Sequence, residues 1–336
     1  MIRRLLLPVS LALTAAALLA GCGSGSSGSP GTTAGGTTAV RVVLDWYANA
    51  DHVGLIGAVD QGFFREAGLK VSTTVPNDPA AALTQVAAGK APFAISYEPE
   101  VLLARNRGIP VVAVGALVGT PLNSIIARSD RGIRRPRDLE GHTVGAAGVP
   151  SDRVLLDTVV RADGGDPAKV RMRNVGFNLS PALAAGRVDA VIGAYWNIEQ
   201  TDLRAKHVPL SVFRLDRYGV PTYDELVVVT SDHLAATRPG VVRSFLAALA
   251  KGQAWAAANP AGAVTALLHA NGDLDATSLR DQVRLTAPLL VPAGHHPLWL
   301  SAGRWTAFTG WMTANKLLTP SPGTDLSRAV NASFLP

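Results

Sequence analysis

The chain has 336 residues, 48% hydrophobic and 17% charged, with one cysteine and a formal charge of +6. That length gives about two domains and a core large enough to need no covalent staple. Basic residues are scattered and do not interleave with aromatics, so no nucleic-acid surface is read from them. Loss of Arg3 and Arg4 with a leader leaves 29 basic against 25 acidic residues, a mildly basic, solvated exterior.

The first segment reads as that leader. Met1-Ile2-Arg3-Arg4 is a charged start, Leu5 to Ala20 is apolar, and Leu19-Ala20-Gly21 places small residues before Cys22. This is a signal-peptide pattern over residues 1–21, and it resembles a bacterial lipoprotein signal with its lipobox. The resemblance implies lipidation of Cys22 and a place at the extracytoplasmic face of the cell membrane. Two acyl chains anchor stably where one is marginal. A transmembrane anchor and a plain secretory signal are the alternatives, but the apolar run is short for a span and contains Pro8 and Ser10. No other segment is long and apolar enough to cross a membrane. With a single cysteine no internal disulfide can form. Residues 22–38 are almost wholly Gly, Ser and Thr and read as a flexible tether.

Folded sequence is predicted from about residue 39. Val40 to Leu44 reads as a strand, and Val53 to Gly68 as a helix with Leu55, Ile56, Val59 and Phe63 on one face. Leu69–Val75 is the next strand. Asp78-Pro79 opens a helix that Gly89 closes. Pro92–Ser96 is a strand, Pro99 to Gly108 a helix, and Pro110–Val118 an apolar strand suited to burial on both faces. Strands alternating with helices argue for an α/β protein with mostly parallel sheets flanked by helices.

The pattern then restarts. Strands are predicted at Asn123–Arg128, His142–Ala146, Val170–Val175 and Val188–Gly193, with helices from Ser151 and from Ser180-Pro181. Ala87-Ala88-Gly89-Lys90 and Ala184-Ala185-Gly186-Arg187, 97 residues apart, each precede a short apolar strand and then a polar-aromatic cluster. Two similar lobes follow from this, residues 39–120 with 218–336 and residues 121–217. Hinges are expected near Thr120 and over Phe213–Tyr218. Leu226–Thr230 returns as a strand, and the helical stretches Pro239–Asn259, Pro260–Ala270, Thr277–Leu289 and Leu298–Leu317 are expected to pad the first lobe.

One turn is chemically dense. Asp45-Trp46-Tyr47-Ala48-Asn49-Ala50-Asp51-His52 sits between the first strand and the first helix, where ligands of open α/β sheets bind. Aromatic walls with a few directed polar groups suit a flat ring; an ordinary loop with Asp51 as helix N-cap is the alternative. Asp45-Trp46 with Asn49 and His52, Gly62-Phe63-Phe64 and Gly68-Leu69, Tyr195 to Glu199, and Pro221 to Leu226 resemble bacterial solute-binding proteins for thiamine pyrimidine precursors, over about Val40 to Asn259. Many relatives have proline where this chain has Ala48.

The resemblance implies a two-lobed periplasmic-binding-protein fold (type II) that closes on a small-molecule pyrimidine, hydroxymethylpyrimidine or formylaminopyrimidine, as a monomer that delivers it to an ABC permease. It carries no cofactor, catalytic residue or metal with it. An aminopyrimidine offers an amine donor and ring-nitrogen acceptors, so Glu199 is assigned to the amine. Trp46, Tyr97 and Trp196 are assigned to stacking. Asn49 and His52 supply further bonds, with Tyr195, Tyr223 and Glu98 as additional lining. Alternatively, Trp196 is a core aromatic and His52 caps the helix. Gly148-Val149-Pro150-Ser151 leads into a helix N-terminus suited to an anion, as in sulfonate- and nitrate-type relatives. Here Asp152 opposes an anion, and a simple Ser151 N-cap is favoured. A binding protein for a sulfonate or another small aromatic solute is the second reading. A pyrimidine synthase is the third. Related synthases use a lysine, a histidine and a cysteine cluster, whereas Ile95 to Arg105 holds neither Lys nor His and the mature chain has no cysteine beyond Cys22. His295-His296 lacks the partners of a metal site.

Overall fold

A computed structural model describes residues 36–319 and 324–336. The leader, Cys22 and nearly all of the tether lie outside the described residues. The chain runs β1 (Thr38–Val43), α1 (Val53–Asp60), α2 (Phe63–Glu66), β2 (Leu69–Thr74), α3 (Ala82–Ala87), β3 (Phe93–Ser96), α4 (Glu98–Asn106) and β4 (Val111–Val118). It continues with β5 (Asn123–Arg128), β6 (Thr143–Ala146), α5 (Asp152–Ala162), β7 (Arg171–Asn174), α6 (Leu179–Ala184), β8 (Ala190–Tyr195), α7 (Glu199–Ala205) and β9 (Leu210–Arg214). The last part is β10 (Leu226–Ser231), α8 (Asp232–Thr237), α9 (Pro239–Ala258), α10 (Pro260–Ala270), α11 (Ala276–Thr286) and α12 (Ala302–Ala314).

Two five-stranded sheets carry these elements, ordered β2-β1-β3-β10-β4 and β7-β6-β8-β5-β9. Each has one strand, β10 or β5, running against the other four, so parallel and antiparallel pairings mix. The match between the orders is position by position. β3 and β8, which follow the two Ala-Ala-Gly stretches, both lie at the centre, and Gly89 and Gly186 both take the left-handed backbone (φ +68° and +65°) that ends the preceding helix.

Two expectations change. The single helix over Val53–Gly68 is two, because Gly62 turns at φ +80° between α1 and α2. Phe213 belongs to β9, and the chain crosses back later, over residues 218–225 after a 3-10 turn at Leu215–Arg217. β4 is buried along its whole length, yet it pairs with a full strand on one side only. Its outer edge is covered by isolated bridges from Ala116 to Leu298 and from Ala113 to Val330. An apolar run therefore reports packed faces, not a central position.

The C-terminal helices pad the first sheet. Phe245 of α9 stacks on Phe93 of β3 at 4.1 Å between ring centroids and on Phe64 of α2 at 5.1 Å. Trp305, Phe308 and Met312 of α12 are buried in a core with Val227 and Val229 of β10. Residues that follow the carboxyl ends of β1 and β3, and the last residue of β8, line one cleft.

Candidate ligand-binding cleft

The turn after β1 is held by its own hydrogen bonds. Asn49 caps a 3-10 turn at Ala50–His52, its Oδ1 accepting from the Asp51 N–H at 2.8 Å. His52 Nδ1 accepts in return from the Asn49 N–H at 3.3 Å. Asn49, not Asp51, is therefore the cap. Because Nδ1 accepts, the network assigns the ring proton to Nε2, which donates to Asp45 Oδ1 at 2.8 Å. The other Asp45 oxygen accepts from the Tyr97 hydroxyl at 2.9 Å. One carboxylate thus orients the imidazole of its own turn and the phenol that follows β3. Asp51, fully buried, turns away to Asn197 Nδ2 at 2.6 Å and the Thr286 hydroxyl at 3.2 Å. Burial pushes its carboxyl up to about 6.

The second sheet supplies the opposite wall. Tyr195 ends β8, and its N–H donates to Glu199 Oε2 at 2.7 Å. Burial pushes the Glu199 carboxyl up to about 8. The Tyr195 hydroxyl donates to Glu225 Oε1 at 3.3 Å, and the Tyr223 hydroxyl to Glu225 Oε2 at 2.9 Å. The N–H groups of Leu122 and Asn123 also donate to Glu225 Oε2, at 2.7 and 2.9 Å. Glu225, on one crossover, therefore pins the other. Burial pushes it up to about 7, against four donors that favour the charged form. Burial likewise raises Tyr97, Tyr195 and Tyr223 well above the usual phenol value.

These side chains surround one cavity. Trp46, Asn49 and Tyr97 line it from the first sheet, Tyr195 and Glu199 from the second, and Tyr223 and Glu225 from the crossover, together with Asp45, Asn123 and Asp152. The cavity is narrow, about 30 Å³. Outward, Trp46, Asn49 and Glu199 also border a groove of about 770 Å³. Phe177, from the turn after β7, closes the boundary at 4.6 Å from the Trp46 ring and 5.1 Å from the Tyr47 ring. This ring clasp joins the two lobes.

Of the residues predicted for the site, Trp46, Asn49, Tyr97, Tyr195, Glu199 and Tyr223 line the cavity. Three do not. Trp196 points away from its neighbour Tyr195. Its Nε1 donates to the Pro121 carbonyl at 3.2 Å, and Arg214 lies 4.7 Å over its ring, so it braces a crossover. His52 is fully buried behind Asp45 and caps its turn. Glu98 is fully buried too, accepting from the Asp224 N–H at 2.6 Å on the crossover that precedes β10. Burial and neighbouring Asp224 raise its carboxyl. Asp45, Phe177 and Glu225 were not assigned from the sequence. Their position at strand ends was the available signal.

The Gly148–Ser151 loop departs from the favoured Ser cap. Ser151 makes no side-chain cap bond. Asp152 Oδ2 instead accepts from the N–H groups of Gly148 and Val149 at 3.0 and 3.1 Å, and Glu100 Oε1 from that of Ser151 at 3.0 Å. Two carboxyls of the protein occupy the donors an anion would use.

A family model described as NMT1/THI5 like matches residues 49–263. The chain belongs to the NMT1/THI5-like family. It is 35% identical over 283 residues to the formylaminopyrimidine-binding protein of Halalkalibacterium halodurans, covering 83% of this chain and 86% of that one. It is 26% identical over 237 residues to a 4-amino-5-hydroxymethyl-2-methylpyrimidine phosphate synthase of Legionella pneumophila, covering 70% and 74%. Among solved structures, the alkanesulfonate-binding protein SsuA from Xanthomonas axonopodis pv. citri bound to MOPS superposes with a TM-score of 0.68 at 19% identity, covering 87% of this chain and 98% of that one. This NMT1/THI5-like chain thus has the periplasmic-binding-protein fold of solute-binding proteins.

Proposed function

We propose that this protein captures a thiamine pyrimidine precursor, formylaminopyrimidine or its hydroxymethyl relative, outside the cytoplasm and hands it to an ABC permease. The observation that carries this reading is the meeting of Trp46, from the end of β1, and Glu199, from the end of β8, on one cavity. Glu199 accepts from the exocyclic amine, and Trp46 packs a ring face. The aromatic that faces Trp46 from the other lobe is Tyr195 or Phe177. Residues 39–120 with 218–336 form one jaw and 121–217 the other. A guest touching both jaws favours the closed arrangement by its differential affinity for it. Lipidation of Cys22 would hold the protein at the membrane by its tether.

The residues at the cavity also support binding over turnover. Its lining holds carboxyls, phenols and amides, and no lysine, histidine or cysteine. The test is a thermal-shift panel backed by calorimetry. Formylaminopyrimidine and hydroxymethylpyrimidine are expected to raise the melting temperature, since ligand at 100 times Kd adds about 2.7 kcal/mol. Aliphatic sulfonates are expected to leave it unchanged. A shift with sulfonates alone, or chemical conversion of the pyrimidine, would overturn the reading.

A further inference from the structure

The loop before α5 holds a group that the pyrimidine reading leaves without a task. Asp152 is fully buried and lines the cavity. Its Oδ2 accepts from the Gly148 and Val149 N–H groups, and the Ala147 N–H also favours the charged carboxyl, whereas Oδ1 is buried with no partner at hydrogen-bond geometry. Leaving such an oxygen unpaired costs about 1–3 kcal/mol, and more for a charged group. The space beside it is kept open. Gly193 of β8 also lines the cavity, and a Cβ there would stand 3.5 Å from Asp152 Oδ1. Gly193 is fixed at φ +84°, its N–H donating to Asn123 Oδ1 at 3.1 Å. Burial and the neighbouring Glu100 push the Asp152 carboxyl up to about 7, so a donor placed at Oδ1 would restore its charged form. An acceptor there, or an anion at the helix N-terminus, would face two carboxyls already seated on the loop.

We infer that Asp152 is a second ligand-binding carboxyl of the cleft, and that its free oxygen selects aminopyrimidines whose side arm carries an N–H donor. This inference rests on the pyrimidine reading, in which Glu199 takes the ring amine and leaves the second donor to the arm. The guest is then gripped at two edges by two acceptors. Anionic arms are refused at the position where the loop would otherwise welcome them.

Asp152→Asn tests it by reversing the polarity of one atom. The amide oxygen can keep the Gly148 and Val149 bonds while its NH₂ replaces Oδ1. Calorimetry would compare 4-amino-2-methylpyrimidine bare, with a 5-aminomethyl arm, and with an acceptor-only 5-formyl arm. The wild type is expected to bind the aminomethyl compound at least tenfold tighter than the formyl one, and D152N to invert that order. Equal binding of the two by the wild type overturns the inference whether or not the variant folds. A folded D152N that keeps the wild-type order overturns it as well. Bare aminopyrimidine separates the two failures: if the wild type does not bind it, the pyrimidine reading falls and takes this inference with it. If it binds while the order stays unchanged, only the role of Asp152 is lost.

Discussion

Glu199→Gln is the most direct perturbation of the cleft, and its cost follows from a single backbone bond. The Tyr195 N–H points at Oε2 from 2.7 Å, so that position must hold an acceptor. A glutamine satisfies it only with its amide oxygen there, which turns its NH₂ toward the guest. Donor then meets donor at the pyrimidine amine. The opposite rotamer sets NH₂ against the Tyr195 N–H. Either way one buried bond is lost and two buried donors face each other, at about 1–3 kcal/mol. With 1.4 kcal/mol per tenfold, that is about 5- to 150-fold in Kd. Isothermal titration with formylaminopyrimidine at pH 7 reads it, with a melting curve to check that the variant folds. Undiminished affinity would mean that the group facing the guest donates, which a neutral carboxylic acid can do and an amide can copy. The role of Glu199 as amine acceptor would then be refuted.

Three other outcomes are expected. Trp46→Ala removes both a cavity wall and the ring that meets Phe177, so affinity should fall at least about tenfold and the ligand-induced fluorescence change should shrink; a normal change would take Trp46 out of the ring-stacking role. Asn197→Ala strips the 2.6 Å bond from buried Asp51, and urea unfolding should show a loss of about 1–3 kcal/mol; an unaltered midpoint would show that this contact does not contribute. Asp51, Asp152, Glu199 and Glu225 titrate in the folded protein at about 6, 7, 8 and 7, above the unfolded carboxyl range of roughly 4. The folded state therefore holds more protons between pH 4 and 8, and stability falls as pH rises through that window. The ligand-free melting temperature should be higher at pH 5 than at pH 8, and a rise instead would contradict these buried environments.

Much of the architecture was legible because strand and helix periods are local. β5 falls where its pattern placed it, and the repeated Ala-Ala-Gly stretch pointed to two similar lobes, whose matching strand orders have β3 and β8 at their centres. The misses arise where meaning is non-local. Trp196 is adjacent to Tyr195, yet consecutive side chains at a strand end face opposite ways, and only the crossover carbonyl of Pro121 shows which side is in use. Glu225 stood in a noticed stretch, but its donors Leu122 and Asn123 lie about a hundred residues earlier. In the sequence Asp152 is a charge opposing anions. That it replaces the serine cap and keeps one oxygen unpaired at the cavity wall depends on how the Gly148 loop folds over it. His52 and Glu98 were chosen for chemistry that each spends on neighbouring backbone.

The position of β10 has a consequence for the order of assembly. All five strands of the second sheet lie in one continuous run of chain, from Asn123 to Arg214. The first sheet, begun at Thr38, lacks the strand between β3 and β4 until Leu226–Ser231 has been made. As the polypeptide emerges, the later-starting jaw can therefore complete itself first. The earlier one waits, its place between β3 and β4 unfilled, for a strand that arrives from beyond its finished partner.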